Sequence, residues 1–257
     1  MVDRNTKILE MLATRQRVKV TSLAEELAVS QVTVRKDLDN LEGQGLIRRI
    51  HGYASLDGAD NVGKRMAYNY SIKRRIAKAA ASTVNQGETV MLESGSCCAF
   101  LAEELALAHK NVTIITNSAF IANHVRHKPY VNIILLGGFY QPESQVMVGP
   151  MTVKCGEIFY SDKFFIGADG FMPNFGFTGR DHMRALTAMD LAGRAKEVFV
   201  LTDAAKFLYQ GVLGLIPFDK ITGVYTDEGI PKEAEETLLK NDISLHKVPS
   251  CDTQETQ

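Results

Sequence analysis

Residues 22–42 read Ser22-Leu23-Ala24-Glu25-Glu26-Leu27-Ala28, then Val29-Ser30-Gln31, then Val32-Thr33-Val34-Arg35-Lys36-Asp37-Leu38-Asp39-Asn40-Leu41-Glu42, and they decide the fold of the N-terminal part of the chain. Leu23, Ala24, Leu27 and Ala28 share one face of a short helix, and Val34, Leu38 and Leu41 recur at helical spacing in a second. The residues between them leave room only for a tight corner, in which Ser30 is placed to cap the second helix. Thr33, Arg35, Lys36, Asp39 and Asn40 remain for the outer face. Such side chains reach base edges and phosphates when a helix lies in the major groove. Periodicity alone also fits an ordinary helical hairpin. The capped turn, the Arg among small polar residues and the basic stretch that follows favour a helix-turn-helix. Gly43 and Gly45 end the second helix, and Leu46-Ile47-Arg48-Arg49-Ile50-His51-Gly52 reads as a basic β-hairpin, or wing.

Before this motif, Ile8, Leu9 and Leu12 mark one face of a helix from Arg4 to Ala13, and Val18-Lys19-Val20 is a short extended piece. Thr21 or Ser22 is expected to cap the next helix, where Ser22-Leu23-Ala24-Glu25 fits a capping box. After the wing, Leu56-Asp57-Gly58-Ala59-Asp60-Asn61-Val62-Gly63-Lys64 is polar and carries two glycines, as a linker would. The expected domains are therefore a DNA-binding domain over 1–56, a linker over 57–71, an α/β domain over 72–250 and a tail over 251–257.

The second domain alternates helix and strand signals. Helices are expected over Ile72 to Val84, Cys98 to Leu107, Phe120 to Val125, 150–157, Met183 to Arg194 and Pro231 to Leu239. Apolar strands are expected at Thr89–Leu92, Val112–Ile115, Val131–Leu136, Lys163–Ile166, Val198–Leu201, Ile221–Tyr225 and Ile243–Leu245. This alternation predicts a mostly parallel sheet covered by helices on both faces. In such a sheet ligands sit beyond the carboxyl ends of the strands. There the chain places Glu93-Ser94-Gly95-Ser96-Cys97, Thr116-Asn117-Ser118, Gly137-Gly138, Gly167-Ala168-Asp169-Gly170 and Thr202-Asp203-Ala204-Ala205-Lys206-Phe207. A small polar loop opening a helix suits an anion, because the first helical N–H groups are unpaired. Taken singly, a Ser-Gly-Ser turn is as well explained as a cap, Gly-Gly as a turn, Lys206 as a solvated lysine, Asp203 as a cap, and Arg180 and Asp181 as helix-start charges. Their joint occurrence at one sheet edge is what points to a binding site.

Composition narrows the class. The 257 residues are 45% hydrophobic and 23% charged with a formal net charge of −1, so no strong basic signal marks the whole chain. Residues 1–52 carry 9 Lys+Arg against 7 Asp+Glu, a net of +2, and the remainder 20 against 23, a net of −3. Cys97, Cys98, Cys155 and Cys251 form no C-x-x-C pair and no metal-like cluster with histidine. No apolar run reaches membrane-spanning length and no leader-like segment opens the chain, so a cytoplasmic protein with reduced thiols, no metal and no cofactor is expected.

Residues 7–52, running through Val29-Ser30 into Thr33-Val34-Arg35-Lys36-Asp37-Leu38, resemble the N-terminal domain of the DeoR family of bacterial sugar-metabolism repressors. The family's wing usually ends in His-Gly-Gly, where this chain has His51-Gly52-Tyr53. Residues 72–247 resemble the family's effector-binding domain, whose fold is similar to ribose-5-phosphate isomerase. The resemblance implies a repressor of a carbohydrate operon that binds double-stranded operator DNA and is controlled by a phosphorylated sugar or sugar-alcohol intermediate. Ser30, Gln31, Thr33, Arg35, Lys36, Arg48, Arg49 and His51 are the expected DNA-facing residues. Ser94, Gly95 and Ser96 match the family's phosphate loop, Thr116, Asn117 and Ser118 its second loop, Asp169 its Gly-x-Asp-Gly strand end, and Asp203 with Lys206 its Asp-x-x-Lys-Phe motif. Cys97 stands where a hydroxyl residue is usual, and Gly179-Arg180-Asp181-His182-Met183-Arg184 replaces a segment that usually contains glutamate. Gly138 and Arg180 complete the expected effector site.

A sugar-phosphate isomerase is the rival reading. It would need a carboxylate base over the sugar carbon and a cation for the enediolate. Asp169 and Lys206 offer parts of this, but no glutamate lies in 176–188, and a shared fold does not carry its chemistry with it. A regulator whose second domain only oligomerises is the other alternative, and the convergent polar loops weigh against it. Because one winged helix reads few base pairs, a homodimer or homotetramer held through the second domain is expected.

Overall fold

A computed structural model describes residues 4–43, 46–56 and 62–250. Gly45, residues 57–61 of the expected linker, and the 251–257 tail with Cys251 lie outside them. The chain divides into two compact units, Met1–Ser71 and Ile72–Gln257.

The first unit contains α1 (Arg4–Arg15), β1 (Arg17–Lys19), α2 (Val20–Glu26), α3 (Gln31–Gly43), β2 (Arg48–Ile50), β3 (Tyr53–Ser55) and α4 (Val62–Ala67). Ile8, Leu9, Leu12, Leu23, Val34, Leu38 and Leu41 are buried, the faces that helical spacing marks. Ser30 caps α3, its Oγ accepting the Thr33 N–H at 3.1 Å. The three strands form one antiparallel sheet in the order β1-β3-β2, so the expected wing is present with His51 and Gly52 at its turn.

Two expectations need correction here. The second helix starts at Val20 rather than behind a Thr21 or Ser22 cap, and its flanking residue Lys19 makes no side-chain cap bond. The Val20 N–H instead donates to the Gly52 carbonyl at 3.0 Å, so the wing's turn does the capping. That helix is also shorter than expected, because Ala28 adopts φ +53° and turns the chain. Residues 62–67, read as linker, are helical, and Val62, Met66 and Ala67 are buried against α1. Apolar side chains at i, i+4 and i+5 give α4 a face to bury, which the flanking polar residues obscure in the sequence. Gly63 sits so close to the wing side of the unit that a Cβ there would lie 2.0 Å from the Leu46 carbonyl oxygen.

The second unit runs α5 (Tyr70–Ser82), β4 (Thr89–Leu92), α6 (Ser96–Leu107), β5 (Val112–Thr116), α7 (Ala119–Val125), β6 (Val131–Leu135), β7 (Phe139–Gln141), β8 (Val146–Val148), α8 (Pro150–Gly156), β9 (Ser161–Gly167), β10 (Gly170–Met172), β11 (Gly176–Gly179), α9 (His182–Ala192), β12 (Ala195–Leu201), β13 (Leu213–Ile216), β14 (Gly223–Asp227), α10 (Lys232–Lys240) and β15 (Ser244–Val248). Seven strands form one sheet in the order β15-β14-β12-β9-β4-β5-β6, and every pairing in it is parallel. Val90–Leu92, Ile114–Ile115, Phe164–Ile166 and Val198–Leu201 are buried along consecutive residues, as strands covered on both faces must be. A second sheet, β10-β11-β13, is antiparallel and packs Phe171 and Phe177 against Phe207.

The packed state of α4 has a direct test. Gly63→Ala places a methyl group against backbone that cannot rotate away, a change that costs about 1–3 kcal/mol. The first unit of this variant is expected to melt several degrees lower, since a small domain shifts by roughly 4–8 °C per kcal/mol. Were residues 62–67 a loose tether, calorimetry would show no change.

Candidate functional site

The outer face of α3 carries Gln31, Arg35 and Lys36, all exposed. Thr33 is half-buried, and its Oγ1 lies 2.9 Å from Ser30 Oγ, so both hydroxyls serve the cap. Arg48 is exposed on β2, and His51 is exposed at the turn with φ +46°. Arg49 is differently placed: its guanidinium pairs with Asp39 of α3, and its backbone N–H donates to Glu42 Oε1 at 2.8 Å. Arg4 pairs with Asp37 on the same helix through two bonds. The face that would meet DNA thus holds exposed cations at Arg35, Lys36 and Arg48, and one cation that is already matched.

In the second unit the strand ends build the other site. β4 ends at Leu92, and Gly95 then flanks α6 without offering a cap, having no side chain. The N–H groups of the first turn of α6 consequently lack a side-chain acceptor. Gly95 and Gly167 touch backbone to backbone, since a Cβ on Gly95 would lie 3.0 Å from Gly167 Cα. Glu93 ties this junction, its Oε1 accepting Ser94 Oγ–H at 2.6 Å and its Oε2 accepting the Gly167 N–H at 3.4 Å. Ser94 is therefore buried and engaged, whereas Ser96 is half-buried with no hydrogen-bond partner for its hydroxyl among the described residues.

The neighbouring loop behaves similarly. Thr116 Oγ1 donates to the Leu92 carbonyl at 2.7 Å and accepts the Ser118 N–H at 3.1 Å. Ser118 Oγ caps α7 by accepting the Ile121 N–H at 3.2 Å. Asn117 Nδ2 donates to the Met147 carbonyl at 2.8 Å, yet its Oδ1 is buried with no partner among the described residues. A buried amide oxygen without a donor is costly, so it is a place where a ligand hydroxyl would be welcome.

The charged residues converge from α5 and from the turn after β12. Lys73 Nζ lies 3.9 Å from Asp203 Oδ2, and both side chains are almost wholly buried. Lys73, Asp203, Lys206 and Asp227 are all near enough to act on the Cys97 thiol. Burial, opposed by Lys73 and Lys206 and assisted by Asp203 and Asp227, pushes that thiol up to about 12. Cys97 is accordingly a neutral thiol at physiological pH, not a nucleophile. Lys206 is half-buried and makes no ion pair among the described residues. Asp227 organises the turn below it, accepting N–H bonds from Ala204 at 2.7 Å and Gly229 at 3.2 Å.

Three expected residues lie in a more structural setting. Asp169 Oδ2 accepts the Arg180 N–H at 3.0 Å, which ties the base of the β10–β11 hairpin. Arg180 itself is exposed. Gly138, at φ +156°, has Thr152 Oγ1 where its Cβ would stand, so only glycine fits there. Asp181 caps α9 and binds Gln141. Its carboxyl stays below the usual range because, although burial raises it, bonds from the Arg184 N–H and Gln141 outweigh that effect.

Lys73 is a residue that the sequence does not single out, standing beside Arg74 and Arg75 in α5. Its spacing held the signal, since Lys73, Ile76, Ala77 and Ala80 share one buried face. Among the described residues, no group of three or more His, Cys, Asp or Glu side chains could hold a metal, and no helix is long and apolar enough to cross a membrane.

Comparison with known proteins agrees with both halves. A model of the DeoR-like helix-turn-helix domain matches residues 4–58, and a model of the DeoR C-terminal sensor domain matches residues 68–228. Relatives include the glycerol-3-phosphate regulon repressor of Escherichia coli (strain K12), 28% identical over 95% of this chain and 97% of that protein. The HTH-type transcriptional regulator GolR of Listeria innocua is 29% identical over 90% of this chain and 92% of its own length. Among solved structures, ribose 5-phosphate isomerase A from Methanocaldococcus jannaschii is 20% identical with a TM-score of 0.41, covering 54% of this chain and 55% of that one. That likeness is distant, and the parallel sheet is established by the strand pairings themselves. With matches that span its helix-turn-helix and most of its second unit, the chain belongs to the DeoR family of transcriptional regulators and is not an enzyme.

Proposed function

We propose that this regulator acts in the cytoplasm as the repressor of a carbohydrate-utilisation operon, released or engaged by a phosphorylated sugar or sugar alcohol that binds the 72–250 unit. The observation that carries the reading is the uncapped start of α6 beside Lys206 and the Lys73–Asp203 pair. Unpaired helix N–H groups and lysine ammonium groups together suit a phosphate dianion. The Ser96 hydroxyl joins the phosphate side, and Asn117 Oδ1 accepts from a ligand hydroxyl. Ser94, Thr116 and Ser118 shape the loops through the bonds they already make, and Gly95 and Gly138 keep the backbone close. Asp169 and Arg180 stand at the rim, Asp169 with one oxygen still available for a sugar hydroxyl.

On the DNA side, Gln31, Arg35 and Lys36 face the major groove, Ser30 and Thr33 hold the helix start at the backbone, and Arg48, Arg49 and His51 of the wing lie on phosphates. A homodimer or homotetramer joined through the second unit supports reading of two half-sites.

Four measurements test this reading. Arg35→Ala is expected to weaken operator binding about tenfold or more, because a base-directed arginine is worth roughly 1–3 kcal/mol. Arg48→Ala should instead lower the salt slope by about 0.9. Unchanged affinity in both would remove α3 and the wing from the interface. Lys206→Ala should keep its melting temperature and its ligand-free operator affinity while losing the thermal shift and DNA response produced by sugar phosphates. A full response in the folded variant would take Lys206 out of the site. Finally, the full chain should sediment as a dimer or tetramer at micromolar concentration, and a monomer there would refute the assembly.

A further inference from the structure

Val32 is the second residue of α3, and its side chain is 76% exposed. In the first unit, among the described residues, Ile50 at 39% and Tyr68 at 47% are the other exposed large apolar side chains. A single exposed apolar residue is ordinary on most surfaces. The position is what makes this one informative. Val32, Arg35, Lys36 and Asp39 follow one another at i, i+3, i+4 and i+7, so they form a single ridge opposite buried Val34, Leu38 and Leu41. A β-branched residue at an exposed helix position has poorer helix propensity than the straight-chain polar residues beside it, and it gains nothing from burial in the free protein. In helix-turn-helix proteins the N-terminal residues of the second helix reach the base edges. The apolar feature presented in the major groove is the 5-methyl group of thymine.

We propose that Val32 reads the thymine methyl in each half-site and so sets specificity beside Arg35. The inference rests on α3 lying in the major groove. Thr33, which would be the obvious methyl-bearing alternative one residue on, is half-buried with its hydroxyl held at Ser30 Oγ. Val32 therefore presents the available apolar surface in this turn.

The experiment uses the full chain. Sites are selected from a random pool of double-stranded DNA, and each thymine of the enriched half-site is then replaced singly by uracil, which removes only the methyl group. At one position the replacement is expected to weaken wild-type binding about fourfold, the equivalent of one buried CH2-sized group at about 0.8 kcal/mol. Val32→Ala should bind the thymine and uracil forms of that position equally, while keeping the wild-type response to uracil elsewhere. Alanine favours the helix, so this variant is expected to fold, and its melting temperature verifies that. Arg35→Ala is run in parallel. If Arg35→Ala weakens binding but no uracil effect depends on Val32, the Val32 assignment alone is overturned. If Arg35→Ala binds the selected sites as wild type does, α3 is not the reading helix and both assignments fall.

Discussion

The interior of the central sheet, from Val90–Leu92 through Phe164–Ile166 to Val198–Leu201, is withdrawn from water on both faces. No strand in that position can carry a polar side chain without a partner, so the chemistry is displaced to the strand ends. After β4 and β5 the chain turns within a few residues into α6 and α7, and after β9 into the strand β10, so the turns crowd. Gly95 and Gly167 meet with no side chain between them, which brings the start of α6 against the end of β9. Glu93 then bonds to both sides of the junction. The uncapped start of α6, the Asn117 oxygen, which has no partner among the described residues, and Lys206 all follow strands of this one sheet, β4, β5 and β12.

The buried Lys73–Asp203 pair belongs to the same edge but arrives by another route. Lys73 comes from the first turns of α5, the helix that opens the second unit, while Asp203 follows β12. Removing one member of such a pair leaves an uncompensated charge in an apolar setting, commonly a loss of about 3–5 kcal/mol. An anion bound nearby alters the balance of charge on that lysine. A change of charge at that edge therefore acts directly on α5, through Lys73.

Legibility in the sequence followed burial. The seven core strands are apolar runs and α3 has a clear helical period, so these elements were readable with end shifts of up to three residues, the largest at the start of β12 and the end of β15. The hairpin β7–β8 and the sheet β10-β11-β13 were not, because Phe139 and Tyr140 are exposed and the segments around Gly170, Gly176 and Gly214 are too short and glycine-rich to show alternation. The cap of α2 was misassigned because its acceptor, the Gly52 carbonyl, is distant in sequence and a backbone group leaves no mark on composition. Hydroxyls at Ser94, Thr116 and Ser118 were legible as residue types, but their engagement with Glu93, Leu92 and Ile121 depends on the fold. Lys73 was hidden by its neighbours Arg74 and Arg75, whose charges make the whole turn look solvated.

The pairing of Arg49 with Asp39 has a consequence for how the wing meets a polyanion. An exposed arginine approaching a phosphate displaces a condensed cation from the duplex, and the entropy of that release drives association. Arg49 carries its own counter-charge, covalently attached to the same polypeptide. Moving the guanidinium from Asp39 to a phosphate leaves a carboxylate that recruits a cation from solution, so the exchange of small ions is close to neutral. The protein has in effect an internal salt at this position. The wing's attraction to a polyanion of any sequence is lower than a count of its basic residues suggests, whereas Arg35 and Lys36 are exposed and make no ion pair among the described residues.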